Sequence, residues 1–269
     1  MLFAIPFPAF DPVAIELGPL VIRWYALAYI VGLLLGWRLA RRLVARPGWN
    51  ITAEGVDDLL FYVTLGVILG GRLGYVLFYQ PDYYAANPLQ ILYVWRGGMS
   101  FHGGLIGVLV AAIHFARRTG VHPLEVSDLL AAVAPLGLFF GRIANFINGE
   151  LWGRPTDVPW AMVFPMAGSE PRHPSQLYEA LLEGLVLFVV LQAMAWRPRR
   201  PEQTGMLSGV FLLGYGLARS FVELYREPDA QIGYLWGGLT MGQILSIPLV
   251  LAGLYLLFRA YRNLQPAAR

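Results

Sequence analysis

The sequence predicts an all-α integral membrane protein, a bundle of seven transmembrane helices. Three observations carry that prediction. The chain of 269 residues is 57% hydrophobic and only 14% charged, where soluble domains carry about a quarter charged residues. Apolar stretches recur along its whole length, each near the roughly 20 residues that a ~30 Å hydrocarbon core demands. None alternates with the period of two that a β-barrel requires, and a lone segment in lipid satisfies its backbone only as a helix.

Taken in order, helices are predicted at 20–37, 57–79, 99–116, 127–147, 178–196, 205–224 and 240–259, within a single polytopic membrane domain over 1–269. The first stops before "RLARR", the third before Arg117 and Arg118, the fifth before "RPRR", and the seventh at Arg259. Every basic residue in the chain is an arginine. Twelve lie after these odd-numbered helices: Arg38, Arg41, Arg42, Arg46, Arg117, Arg118, Arg197, Arg199, Arg200, Arg259, Arg262 and Arg269. Only four, Arg96, Arg154, Arg172 and Arg226, fall in the alternate loops. Arginine-rich short loops stay in the cytoplasm, so the N-terminus is predicted outside and the C-terminus inside.

The outer segments "QPDYYAANPLQILYVWRGG", "NGELWGRPTDVPWAMVFPMAGSEPRHPSQ" and "REPDAQIGYLWGGL" are rich in Pro, Gly, Tyr and Trp, as suits the headgroup level. The long middle one reads as a small ordered periplasmic cap. The N-terminus lacks a basic region and a cleavage site, so no signal peptide is expected to be removed. There is no cysteine, which excludes disulfides, thiolate metal sites and a cysteine nucleophile. A net charge of +3 gives no reason to expect nucleic acid as a partner.

The chemistry is expected where polar groups enter apolar helices. With the orientation above, Arg23, Arg72, Arg142 and Arg219 all fall toward the outer side, with Tyr25 and His102 at the same depth. A buried arginine is costly unless it faces the bundle interior and finds partners; the alternative, strongest for Arg23, is snorkelling to the interface. Arg142, Asn145 and Gly149 share a helix face at i, i+3 and i+7, and Tyr215, Arg219 and Glu223 share one at steps of four. Arg219 and Glu223 could simply neutralise each other. Arginine is the side chain for bidentate phosphate recognition, so converging arginines point to a phospholipid headgroup. Gly70, Gly71 and Gly74 read as close helix packing. His102, in "GGMSFHGG", is the histidine best placed to titrate near neutrality, or a hydrogen-bonded structural residue. No histidine or acid cluster has metal-ligand spacing, so no metal is expected.

Seven stretches resemble the bacterial phosphatidylglycerol–prolipoprotein diacylglyceryl transferase family: "FDPVAIELGPLVIRWYALAY", "GGRLGYVLFY", "GGMSFHGGLIGV", "GRIANFINGELWGRPTD", "RHPSQLYEALLEG", "GYGLARSFVELYREPDAQ" and "TMGQILSIPLVLAG". They cover nearly the whole chain, and "GRIANFINGELWG" is similar to the family's signature. The segment between "LWGRPTD" and "RHPSQLYE" is shorter than in some members. The resemblance implies a seven-helix enzyme of the bacterial inner membrane with its site toward the periplasm. It implies transfer of diacylglyceryl from phosphatidylglycerol to the lipobox cysteine thiol of a prolipoprotein, releasing glycerol 1-phosphate, without a cofactor. It also implies site residues Tyr25, His102, Arg142, Asn145, Glu150, Gly153, Tyr215, Arg219 and Glu223.

The chemistry of that reaction assigns expected roles. Sulfur displaces a phosphate at a glycerol carbon, which requires a thiolate and neutralisation of the leaving group. A free thiol titrates near ~8.5, so a base helps, and His102 is the expected one. Arg142 and Arg219 would clamp the phosphodiester, while Tyr25, Asn145 and Glu150 orient the headgroup and the signature turn. A transporter would instead need polar groups at the midplane and inverted repeats. A lipid-binding scaffold without chemistry is the other alternative.

Overall fold

The computed structural model describes residues 5–8, 10–18, 20–228 and 233–264. Parts of the predicted outer segments, among them 229–232, and the C-terminal Arg269 lie outside the described residues. The long elements are helices: α1 (Trp24–Val44), α2 (Ala53–Phe78), α3 (Phe101–Thr119), α4 (Pro123–Ile147), α5 (Ser175–Ala195), α6 (Met206–Val222) and α7 (Met241–Leu264). Among the described residues four short strands accompany them: β1 (Ile5–Pro6), β2 (Val13–Leu17), β3 (Leu20–Arg23) and β4 (Met162–Val163).

Five of the helices, α2, α4, α5, α6 and α7, are long and apolar enough to cross a membrane. α1 and α3 are of similar length but end on arginine pairs, Arg41-Arg42 and Arg117-Arg118. The distribution of side chains is the reverse of a soluble fold. Leu251, Leu254 and Phe258 of α7 and Ile106, Leu109 and Val110 of α3 are exposed, whereas Glu125, Asp128, Glu179, Glu183 and Glu223 are buried. The chain is a multi-pass, mainly helical membrane protein.

The first helix departs from its predicted bounds of 20–37. Residues 20–23 form β3, paired antiparallel with β2, and the Trp24 N–H reaches the Pro12 carbonyl at 3.1 Å. Val21 and Ile22 are β-branched and suit a strand. At its other end α1 runs on to Val44, because arginine leaves lipid without leaving a helix. Elsewhere the predicted bounds lie within about five residues of the observed ones, the largest difference being the extension of α7 to Leu264.

The chain divides into two compact units, residues 41–127 and residues 1–40 with 128–269. In the first, α2 and α3 run antiparallel with their backbones almost touching. A Cβ on Gly107 would lie 1.9 Å from the Gly66 carbonyl oxygen, and one on Gly70 2.3 Å from that of Gly103. Only glycine permits this approach. Arg72 is not a free intramembrane cation but a strut within this unit. It donates from Nε to the Ile91 carbonyl (2.8 Å), from Nη1 to Gly97 (2.6 Å) and from Nη2 to Gln90 (2.6 Å), under the Tyr84 ring. It thereby holds the segment between α2 and α3.

In the other unit α6 packs along α7, and the buried Asp128 of α4 caps the start of α6. It accepts from the Gly205 N–H, the Ser208 N–H and the Ser208 hydroxyl, each at 2.8 Å, and pairs with Arg199 at 2.8 Å. A carboxylate there satisfies orphan donors at the positive end of the helix. The segment from 148 to 174, the expected cap, is tied down by backbone hydrogen bonds. Gly153 N–H bonds His173 O (2.8 Å), Arg154 N–H bonds Tyr225 O (2.8 Å), Met162 N–H bonds Arg172 O (2.9 Å), and β4 pairs with β1.

Candidate active site

α4 ends at Ile147, where the chain turns through Gly149 at φ +66° and Leu151 at φ +59°. The apolar helix therefore breaks within "NGEL", as the polar residues there foretell. Glu150 folds back onto the helix. Its Oε1 accepts from Asn145 Nδ2 at 2.9 Å and Asn148 Nδ2 at 3.1 Å, and its own N–H bonds the Asn145 carbonyl at 3.1 Å. Tyr25 of α1 lies beside Asn145 and packs at a tilt against Tyr29, ring centroids 5.1 Å and hydroxyls 3.4 Å apart. From the first turn of α5, Gln176 Nε2 donates to the Glu150 carbonyl (2.6 Å) and Ser175 Oγ to that of Leu151 (3.0 Å). Asn145 and Glu150 are thus bonded to each other, with Tyr25 beside them.

One turn further along α5 the charges begin. Glu179 and Glu183 are fully buried and lie four residues apart, on either side of the start of a wide-turn π segment, Ala180–Val186. Such segments recur at functional sites. Arg142 of α4 approaches Glu179 Oε2 with Nε at 3.3 Å and Glu183 Oε2 with Nη2 at 3.7 Å. Arg219 of α6 bonds Glu179 Oε1 with Nη1 and Glu223 Oε1 with Nη2, and its Nη1 lies 3.9 Å from Glu183 Oε1. Glu223 also pairs with Arg226 at 3.2 Å and accepts from Thr240 Oγ1 at 2.6 Å. Tyr215, one turn before Arg219, lies in the field of Glu183 and Arg219. Arg142, Tyr215, Arg219 and Glu223 thus share one cluster, and the Arg219–Glu223 pair read in the sequence forms as one part of it.

Gly153 lies in the cap, where a Cβ would come 2.5 Å from the Tyr225 carbonyl oxygen and 2.6 Å from His173 Cβ. Arg154 ties the cap to the end of α6, donating to the Arg226 carbonyl (2.9 Å) and the Glu223 carbonyl (3.1 Å). Burial lowers the pKa of His173, whose Nδ1 lies 3.1 Å from the Tyr178 hydroxyl. His102 belongs to the other unit, exposed on the first turn of α3 beside the Phe101 ring.

Sequence reasoning passed over Glu179 and Glu183. Two glutamates one turn apart in an otherwise apolar span are a signal in themselves, since intramembrane acids are costly and are kept for a reason. Thr240 and Arg226 carried no comparable signal. Both are ordinary residues at helix ends, and only the fold brings them to Glu223.

These features define a class, a multi-pass helical membrane protein with three arginines and three glutamates gathered among residues of α4, α5 and α6 and the segment just beyond α6. The comparisons with known proteins narrow it. The family model for prolipoprotein diacylglyceryl transferase matches residues 12–259, and the chain belongs to that family. It is 60% identical to the phosphatidylglycerol–prolipoprotein diacylglyceryl transferase of Paramagnetospirillum magneticum, with 100% of both chains covered. Proteins of the same name from Rhodospirillum centenum and Gluconacetobacter diazotrophicus are each 60% identical, over 95% and 97% of this chain and 94% of each relative.

Proposed function

We propose that this protein is a transferase that moves the diacylglyceryl group of phosphatidylglycerol onto the lipobox cysteine of a prolipoprotein, the first step of lipoprotein maturation. Family membership and full-length relatives bearing that name support it. The observation that carries the site is the pair Arg142 and Arg219, brought from α4 and α6 to one buried carboxylate, Glu179. Two guanidiniums so held can meet a phosphodiester from two sides.

In the proposed reaction the cysteine sulfur forms a bond to glycerol C3 as the C3–O bond to phosphate breaks. The thiol proton passes to a base, and glycerol 1-phosphate leaves. Arg142 and Arg219 neutralise the departing phosphate, with Tyr215 and Glu223 beside them. Tyr25, Asn145 and Glu150 orient the headgroup, Gly153 shapes the turn that follows, and His102 takes the proton. The nucleophile belongs to the substrate, so a chain without cysteine suffices. No metal or cofactor takes part.

The proposed setting is the bacterial inner membrane, as a single polytopic domain with seven crossings, N-terminus outside and C-terminus inside. The arginine distribution supports this orientation. The site then opens toward the periplasm, where phosphatidylglycerol and the prolipoprotein signal peptide arrive from the surrounding lipid.

The test is to incubate purified protein with phosphatidylglycerol and a lipobox peptide, reading peptide mass and released glycerol phosphate. Transfer by the wild type, lost in Arg142→Ala, is the expected result. A His102→Gln variant that keeps most of its rate from pH 6 to 8 removes the base role alone. A folded wild type that transfers nothing to any of several peptides overturns the reading.

A further inference from the structure

Glu183 is used by nothing described so far. It is 0% exposed, and neither carboxylate oxygen has a hydrogen-bond partner among the described residues. Its nearest cations are held at long range, Arg142 Nη2 at 3.7 Å and Arg219 Nη1 at 3.9 Å. By contrast, Glu179 and Glu223 are each bonded directly to Arg219, and Glu223 also to Thr240. A buried carboxylate without hydrogen bonds is costly and calls for an explanation.

The charge count supplies one. The groups facing Glu183 are Arg142 from α4, Tyr215 and Arg219 from α6, Arg226 just beyond α6, and Glu179 on its own helix. With Glu223, which is shared by Arg219 and Arg226, the ionised cluster holds three positive and three negative charges among the described residues. An added phosphodiester leaves it one negative charge in excess, which a poorly hydrated site tolerates badly. The excess is removed most cheaply at the carboxylate that loses no hydrogen bond on protonation, and that carboxylate is Glu183.

We infer that Glu183 is a displaceable counter-anion for Arg142 and Arg219: an entering phosphodiester takes its place beside the arginines, and Glu183 takes up one proton from water, returned when the anion leaves. This rests on the proposed phosphatidylglycerol reading and adds a proton to it. Glu183 is on this account a positioning residue, acting through the arginines and not on the reacting atoms.

The experiment is calorimetric binding of dioctanoyl phosphatidylglycerol to the detergent-solubilised full chain, in two buffers of different ionisation heat. Dioctanoyl phosphatidylcholine serves as a zwitterionic control. The expected wild-type result is proton uptake that approaches one per lipid bound on the alkaline side, where free Glu183 is ionised, with Kd rising there toward tenfold per pH unit. In Glu183→Gln, which is neutral throughout, uptake vanishes and Kd becomes flat with pH. Binding by the wild type without proton uptake, or a Glu183→Gln variant that keeps the uptake, overturns the inference and leaves the transferase reading intact. The wild-type titration decides this alone if the variant does not fold. No binding of phosphatidylglycerol above the control removes the lipid reading itself.

Discussion

Glu179 binds two arginines from two different helices, Arg142 through Oε2 at 3.3 Å and Arg219 through Oε1. One carboxylate on α5 therefore sets the separation of the two guanidiniums on α4 and α6. The spacing of the cations is decided by an anion between them.

Removing that carboxylate leaves two largely but not fully buried cations short of a partner. Glu179→Ala is expected to cost about 3–5 kcal/mol, seen as a lower unfolding midpoint in detergent, and to abolish transfer. The double variant Glu179→Ala/Arg219→Ala should be less destabilised than the two single losses added together, because the partners share one network. Additive losses would show that the two residues are not coupled.

The α2–α3 contact offers a steric test. Gly107→Ala places a Cβ against the Gly66 carbonyl, and neither backbone can yield without separating the helices. Overpacking of this kind costs about 1–3 kcal/mol. An exposed change on the same helix, Val110→Ala, is expected to leave the melting midpoint nearly unmoved.

In the cap, Gly153→Ala drives a methyl group into the Tyr225 carbonyl and His173. Helix content by circular dichroism should be unchanged while transfer falls at least tenfold, since the collision falls between the cap and the end of α6. An active Gly153→Ala enzyme would contradict the role given to this turn.

His173 yields a pH dependence. Burial disfavours its charged form in the folded protein, so its pKa lies below the ordinary 6.5. The unfolded chain then binds the proton first as pH falls, and stability drops from about pH 6.5 downward to the folded value, below which the slope vanishes. His173→Gln should flatten that acid limb and leave the profile above pH 7 as it is.

Much of this molecule is legible one segment at a time. Long apolar runs specify helices because lipid offers the backbone no other partner, and the bounds of α2 to α6 follow from composition. The break after Ile147 shows in "NGE", and the importance of Arg142, Asn145, Arg219 and Glu223 shows in their cost within an apolar span. The start of α1 does not show, because Leu20, Val21 and Ile22 are as apolar in a strand as in a helix and only pairing with β2 separates the two. Arg72 resembles Arg142 on the same grounds, yet carbonyls of its own unit occupy it.

The sequence by itself determined where the long helices lie, apart from the start of α1, which residues are costly in lipid, and through its quoted stretches which family they resemble. Tertiary structure alone decided which charge meets which. Glu179, Arg142 and Arg219 are separated by tens of residues, and an ion pair is a property of distance in space, to which periodicity and composition are blind. The same holds for Glu183, whose lack of hydrogen bonds exists only once α4, α5 and α6 have packed around it.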